Sequence, residues 1–216
     1  MRKVICEAKN AGDFEKSDRS CTNDGKFTNG GNGTGSIKSD GDKRAKKDND
    51  VKDDTETQKR KQEIIGKLDK DYLNTASQFF DEAKGKIKQR KEKVYRKVDK
   101  AEAEKIKQKT GLDVEGYEHK IINEDLAHIY KRHGNPKIEA KNNHVVVTAD
   151  DIKLIPEITK NYDSVELSKE RAKSDGRPVL IYKKRIGNEY YCLETVGGKA
   201  KDLRLRTMYI KEIKTG

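Results

Sequence analysis

Two of the chain's four histidines, His128 and His133, lie five residues apart in the stretch EDLAHIYKRHGNPK, around Lys131 and Arg132 and just before Gly134. Imidazole ordinarily titrates near neutrality, so a pair of them suits proton transfer. Neighbouring guanidinium and ammonium groups suit a phosphate. Cleavage of RNA without a metal needs this set of parts. A base takes the proton from a ribose 2′-hydroxyl, an acid protonates the leaving 5′-oxygen, and cations or hydroxyl donors stabilise charge on the phosphorus oxygens. On a helix, His128 falls about one turn from Arg132, so the two share a face. His133 falls at the helix end, where the carbonyl end of the dipole favours the imidazolium. Each histidine also has the plainer reading of a surface or capping residue, and His119 and His144 have less context still.

Other chemistries fit less well. His128 and His133 lack the four-residue spacing that aims two metal ligands from one helix face, and the sequence has no HExxH or CxxC. Cys6, Cys21 and Cys192 form neither a ligand spacing nor a disulfide framework. No glycine-rich phosphate loop joins a strand to a helix, and no carboxylate pair stands out from the charged background. Neither a metal nor a cofactor is expected.

Three kinds of segment would have to position such a site. Residues 1–61 are poor in apolar side chains and rich in Gly, Asn, Asp, Ser and Lys, which predicts a disordered leader. Across residues 62–109, Ile65, Leu68, Tyr72, Ala76, Phe79, Ala83, Ile87, Val94, Val98 and Ala101 recur at helical spacing. That predicts a long amphipathic helix of about 70 Å, or a helical hairpin broken at Gly66 or Gly85. It could pair with a second copy or carry a basic arm. Residues 110–216 predict an α+β domain, with helices packed on an antiparallel sheet of about four strands. A helix begins at Asn123 or Glu124 and ends at Gly134 and Pro136. HVVVT is a strand, Thr148 with Asp151 resembles a capping box, Pro156 bends or ends the helix that follows, and DSVEL is a further strand.

PVLIYKKRI and EYYCLETV flank Gly187-Asn188, which suits a two-residue hairpin turn. That register pairs Ile186 with Glu189 and Tyr182 with Leu193, and leaves Lys183, Arg185 and Tyr190 on the other face. In DLRLRTMYI, strict alternation puts Thr207 and Tyr209 beside Leu203 and Leu205, unless a bulge intervenes.

The net charge of +11, with 40% charged and 31% hydrophobic residues, excludes a core running through the whole chain and favours polyanionic partners. No run reaches the roughly 18 apolar residues of a membrane span, and the amino terminus lacks a secretory h-region. Stable membrane insertion is not expected. Synthesis is expected in the cytoplasm, with delivery by a larger secretion or phage system left open.

Taken in order, TGLDVEGYEHKI, LAHIYKRHG, VTADDIKLIPEI, LIYKKRIGNEYYCLE and LRLRTMYI resemble phage- and toxin-associated nucleases of the barnase–EndoU–colicin–RelE superfamily, over about residues 110–212. The resemblance implies a metal-independent ribonuclease toxin domain, with an acidic immunity or antitoxin protein as its partner. It points to His128, His133, Lys183, Thr207 and Tyr209 as the catalytic set. Lys131, Arg132, Tyr182, Arg185, Arg204 and Arg206 would hold the RNA. The competing reading is a non-catalytic nucleic-acid-binding or phage scaffold module, since basic and aromatic sheets also bind single strands.

Overall fold

The computed structural model describes residues 49–173 and 175–213, with side chains from residue 55. These residues belong to one unit, Ala45–Gly216. The order is α1 (Asn49–Ile65), α2 (Lys70–Ala83), β1 (Glu92–Lys97), α3 (Lys100–Thr110), β2 (Glu118–Ile122), α4 (Asn123–His133), α5 (Pro136–Asn142), β3 (His144–Val145), α6 (Ala149–Lys153), α7 (Ile155–Lys160), β4 (Ser164–Leu167), β5 (Val179–Ile186), β6 (Asn188–Gly197) and β7 (Asp202–Lys211). The class is α+β. The sheet, however, has seven strands where the sequence reading expects about four. Its order is β1-β2-β7-β6-β5-β4, with β3 beside β7. All pairs are antiparallel except β2 with β7.

The single long helix over residues 62–109 is not formed. The chain breaks after Ile65 and again after Ala83, close to the two glycines, and then runs as strand β1. Valines and tyrosines at mixed spacing fit either period, and pairing with β2 decides the matter. Tyr95, absent from the helical stripe, is the residue that turns inward, whereas Val94 is exposed. Tyr72, Ala76, Phe79 and Phe80 of α2 join the same core as Leu180, Tyr182, Met208 and Ile210 of the sheet.

The expected disorder of residues 1–48 lies outside the described residues. That of residues 49–61 is replaced by α1, which carries an anchor. Lys61 Nζ sits 2.9 Å from Asp151 Oδ1, both buried. Tyr190 Oη donates to the same oxygen at 2.8 Å, and Thr148 donates its hydroxyl (2.7 Å) and its backbone N–H (2.8 Å) to the other oxygen. The Thr148–Asp151 capping box at the start of α6 thus also receives α1 and β6. Pro156 lies in the first turn of α7, where its missing N–H costs nothing.

The β5–β6 turn is tighter than a Gly-Asn pair would make it. Ile186 pairs with Asn188 and Tyr182 with Cys192, one residue away from the expected register. Gly187 alone makes the turn at φ +70°, and a β-carbon there would meet the Thr57 side chain of α1 at 2.3 Å. A one-residue slip exchanges the faces of β6. Tyr190, Cys192 and Glu194 enter the core, and Tyr191 comes out beside Lys183. On β7 a bulge restores order: Leu193 pairs with Thr207 but Glu194 with Leu205. Leu203, Leu205, Met208 and Ile210 are therefore all buried, whereas Thr207 and Tyr209 face the other way.

Candidate active site

The helices cover one face of the sheet. The other face carries Glu166 of β4, Lys183 and Arg185 of β5, Glu189 and Tyr191 of β6, and Thr207, Tyr209 and Lys211 of β7. Tyr191 and Tyr209 are cross-strand partners and stack, with centroids 4.6 Å apart and an interplanar angle of 10°. Lys211 Nζ lies 4.6 Å from the Tyr191 centroid, and Lys183 Nζ lies 5.5 Å from it. This is an aromatic platform with two ammonium groups at its surface.

His144 extends the platform. It pairs with Lys211 across β3 and β7 and stacks on Tyr209 at 5.2 Å and 18°. His133 approaches from the end of α4, 5.9 Å from Tyr209 and 6.5 Å from His144 between ring centroids. Local sequence explains how the three come together. Gly134 closes α4, Asn135 caps α5 by accepting from Lys137 N–H, and Pro136 opens α5. Asn143 then ends it in the left-handed conformation at φ 54°, which asparagine tolerates. Val147 N–H donates to the His133 carbonyl at 2.7 Å, pulling the returning chain alongside.

Glu139 of α5 occupies the centre and is fully buried. Its Oε1 lies 3.3 Å from His133 Nδ1, and its Oε2 lies 3.2 Å from His144 Nδ1. One carboxylate thus hydrogen-bonds His133 Nδ1 and faces His144 Nδ1 without a hydrogen bond, and the two Nε2 atoms have no hydrogen-bond partner among the described residues. The reacting groups of His133, Glu139 and His144 all lie within 4.8 Å of one another. Spacing in the sequence gives no warning of this, because the second histidine comes from β3 and the carboxylate from α5.

The remaining expected site residues divide. Thr207 lies on the same face as Tyr209, and its hydroxyl is buried without a partner. His128 is exposed on α4 and makes no ring contact with the cluster. Burial first, then the charges of Arg132, His133 and Arg206, hold its pKa below the usual histidine value. Lys131 and Arg132 are exposed on the same helix, and Arg185 on β5. Lys183 also pairs with Glu166 at 3.1 Å. Arg204 is held bidentately by Asp125 at 2.5 and 2.9 Å, and Arg206 reaches the same carboxylate at 3.3 Å. Tyr182 belongs to the core with no exposure, on the helix-covered face, so it is not an RNA contact. The inward alternation of β5 decides that.

A second histidine network lies under the sheet. His119 of β2 is fully buried. Its Nδ1 is 2.9 Å from Glu194 Oε2, and Arg96 lies 2.8 Å from its Nε2. Arg96 also pairs with Glu102 of α3, and Tyr95 donates to Glu194 at 3.1 Å. Burial alone would lower the His119 pKa, but the Glu194 and Glu102 carboxylates outweigh it and the net direction is upward.

The family model of the phage-Barnase-EndoU-ColicinE5/D-RelE-like nuclease3 group matches residues 96–215, more than half of the chain. The chain belongs to this nuclease family. No curated protein and no solved structure matches it. The match begins near the end of β1 and takes in α3, the other six strands of the sheet and the His133–Glu139–His144 cluster. No described helix is long and apolar enough to cross a membrane.

Proposed function

We propose that the nuclease cleaves RNA at the platform face, by attack of the ribose 2′-oxygen on the adjacent phosphorus, with no metal taking part in the reaction. The observation that carries this reading is one buried carboxylate, Glu139, set between two imidazoles beside the Tyr209–Tyr191 stack. Cleavage by this route needs two proton transfers on opposite sides of one phosphorus. Two rings with centroids 6.5 Å apart match that need. One imidazole Nε2 takes the 2′-hydroxyl proton, and the 2′-oxygen bonds to phosphorus. The other gives its proton to the departing 5′-oxygen. The products are a 2′,3′-cyclic phosphate and a 5′-hydroxyl.

Tyr209 and the otherwise unpartnered Thr207 hydroxyl donate to the phosphorus oxygens, and Lys183 with Arg206 supplies positive charge. His128, whose pKa its surroundings lower, stands with Lys131 and Arg132 along the RNA path on α4, and Arg185 extends that path on β5. The net charge of +11 supports an RNA partner and a toxic role checked by an acidic inhibitor protein.

The test is to incubate the purified full chain with total RNA in the presence of a chelator and to sequence the cut ends. Cyclic phosphate ends, lost in His133→Ala and His144→Ala, are the expected result. Intact RNA would instead support the second reading, a single-strand binder. The Tyr191–Tyr209 stack flanked by two lysines favours that alternative.

A further inference from the structure

The Glu139 carboxylate is completely buried, and one of its oxygens is left without a hydrogen bond. Oε2 lies 3.2 Å from His144 Nδ1, yet the two do not meet hydrogen-bond geometry, and His144 Nδ1 is likewise buried and unpartnered. Leaving a buried carboxylate oxygen unsatisfied costs on the order of 1–3 kcal/mol or more. Something that accepts lone pairs from both atoms would remove the cost. A proton shared between them is one such species, but the atoms are not aligned for it. A cation bound to both needs no such alignment.

The donor set suits one cation in particular. His133 Nδ1, a Glu139 oxygen and His144 Nδ1 are two imidazoles and a carboxylate, a combination that binds zinc and leaves a fourth position open. Zinc bonds of about 2.0–2.1 Å in tetrahedral geometry place ligand atoms roughly 3.3 Å apart. The two nitrogen–oxygen separations here are 3.3 Å from His133 Nδ1 to Oε1 and 3.2 Å from His144 Nδ1 to Oε2, one imidazole beside each oxygen of the carboxylate. All three donors lie within 4.8 Å of one another, so a small closure of the two rings on Glu139 completes the site. Both rings are partly exposed, which leaves a path for the ion. Lys211, the strand partner of His144, is turned over the Tyr191 ring.

We infer that His133, Glu139 and His144 bind one Zn²⁺ ion, and that the ion and RNA cleavage compete for the same two imidazoles. The second half rests on the ribonuclease reading above. A histidine bound to zinc through Nδ1 keeps its proton on Nε2, so it can neither take the 2′-hydroxyl proton there nor cycle as an acid. The open fourth position on the ion would be filled by water or by a phosphate oxygen. The nuclease would then be silent where zinc is plentiful and active once it is stripped.

The first test uses the full chain freed of metal by chelation and titrated with zinc chloride in a calorimeter. One ion per chain is expected, together with a melting temperature raised by roughly 5–10 °C when zinc is a hundredfold above its dissociation constant. His144→Ala and Glu139→Gln should each weaken binding at least a hundredfold. His144 is half-exposed, so its variant keeps the test valid if the buried Glu139→Gln change does not fold. Absence of stoichiometric binding, or binding undiminished in a folded His144→Ala variant, overturns the site.

The second test follows RNA cleavage. The chelated protein should cut, and saturating zinc should slow it at least a hundredfold. Undiminished cutting at full zinc occupancy overturns the competition, as does a chelated protein that cuts only when zinc is added. Zinc binding by a protein that cuts RNA in neither state upholds the site and overturns the ribonuclease reading instead.

Discussion

Among the described residues, two histidine–carboxylate clusters are built on opposite faces of one sheet, and they differ in what is left unfilled. Around His119 both ring nitrogens have partners, from Glu194 on one side and Arg96 on the other, and no part of the ring reaches solvent. Around His133 and His144 the carboxylate lies beside Nδ1 only, the rings are partly exposed, and Glu139 and His144 keep unpartnered atoms. The first arrangement is saturated and ties β1, β2, α3 and β6 together. The second keeps unpartnered atoms within partly exposed rings, beside Tyr209 of the platform. A histidine next to a carboxylate is thus not evidence of chemistry in itself. The free second nitrogen and the route to it are what distinguish the two.

That contrast can be broken most sharply by removing each histidine in turn. His119→Ala leaves Glu194 buried without its partner, and should cost about 3–5 kcal/mol of unfolding free energy in urea titration. Cleavage per folded molecule should be unchanged. His133→Ala also strands a buried carboxylate, Glu139, so what sets it apart is cleavage per folded molecule, which should fall by roughly 10²–10⁴-fold. If His119→Ala lost activity but not stability, the roles assigned to the two faces would be wrong.

Lys61→Met tests another buried ionic group, one that shares no residue with either histidine cluster. It strands the Asp151 carboxylate, so a loss of about 3–5 kcal/mol is expected in the same unfolding assay. An unchanged midpoint would mean that α1 is not part of the folded unit.

Thr207→Val keeps the shape of the platform and removes one hydroxyl. The cleavage rate should fall roughly ten- to a hundredfold, as for a hydrogen bond to a charged group, with thermal stability held or slightly raised. Equal rates in single-turnover assays would remove Thr207 from the site.

The smallest effect concerns pH. The folded pKa of His119 is raised, so its contribution to stability is complete below the unfolded value of about 6.5. It is lost as pH climbs through the folded value. Melting temperature should therefore decline across that range in the wild type, and His119→Gln should flatten the decline. A wild-type curve that rises with pH would contradict the network around His119.

Several elements of the site were legible in the linear chain because their signals are local. Asn123 to Gly134 reads as a helix with its own stop, Thr148-x-x-Asp151 as a cap, and residues 179–211 as strands. The family resemblance rested on the same runs. Non-local pairing was not legible. The β6 register hung on whether the turn used one residue or two, and α1 pressing on Gly187 settled it. That slip moved Glu194 into the core and brought Tyr191 out. Strand β1 looked helical because its partner, β2, lies more than twenty residues away. Glu139 and His144 carried no marking at all.

By itself, then, the sequence determined the helical and strand-forming segments, the basic charge, the α+β class and the nuclease family, because periodicity, capping and composition act within a few residues. Only the tertiary structure decided which histidines share a carboxylate. That choice depends on α4, α5 and β3 folding back against the edge of β7, and on a bulge that turns Thr207 and Tyr209 outward. Neighbours across a sheet edge are set by packing and backbone pairing, and no spacing along the chain encodes them.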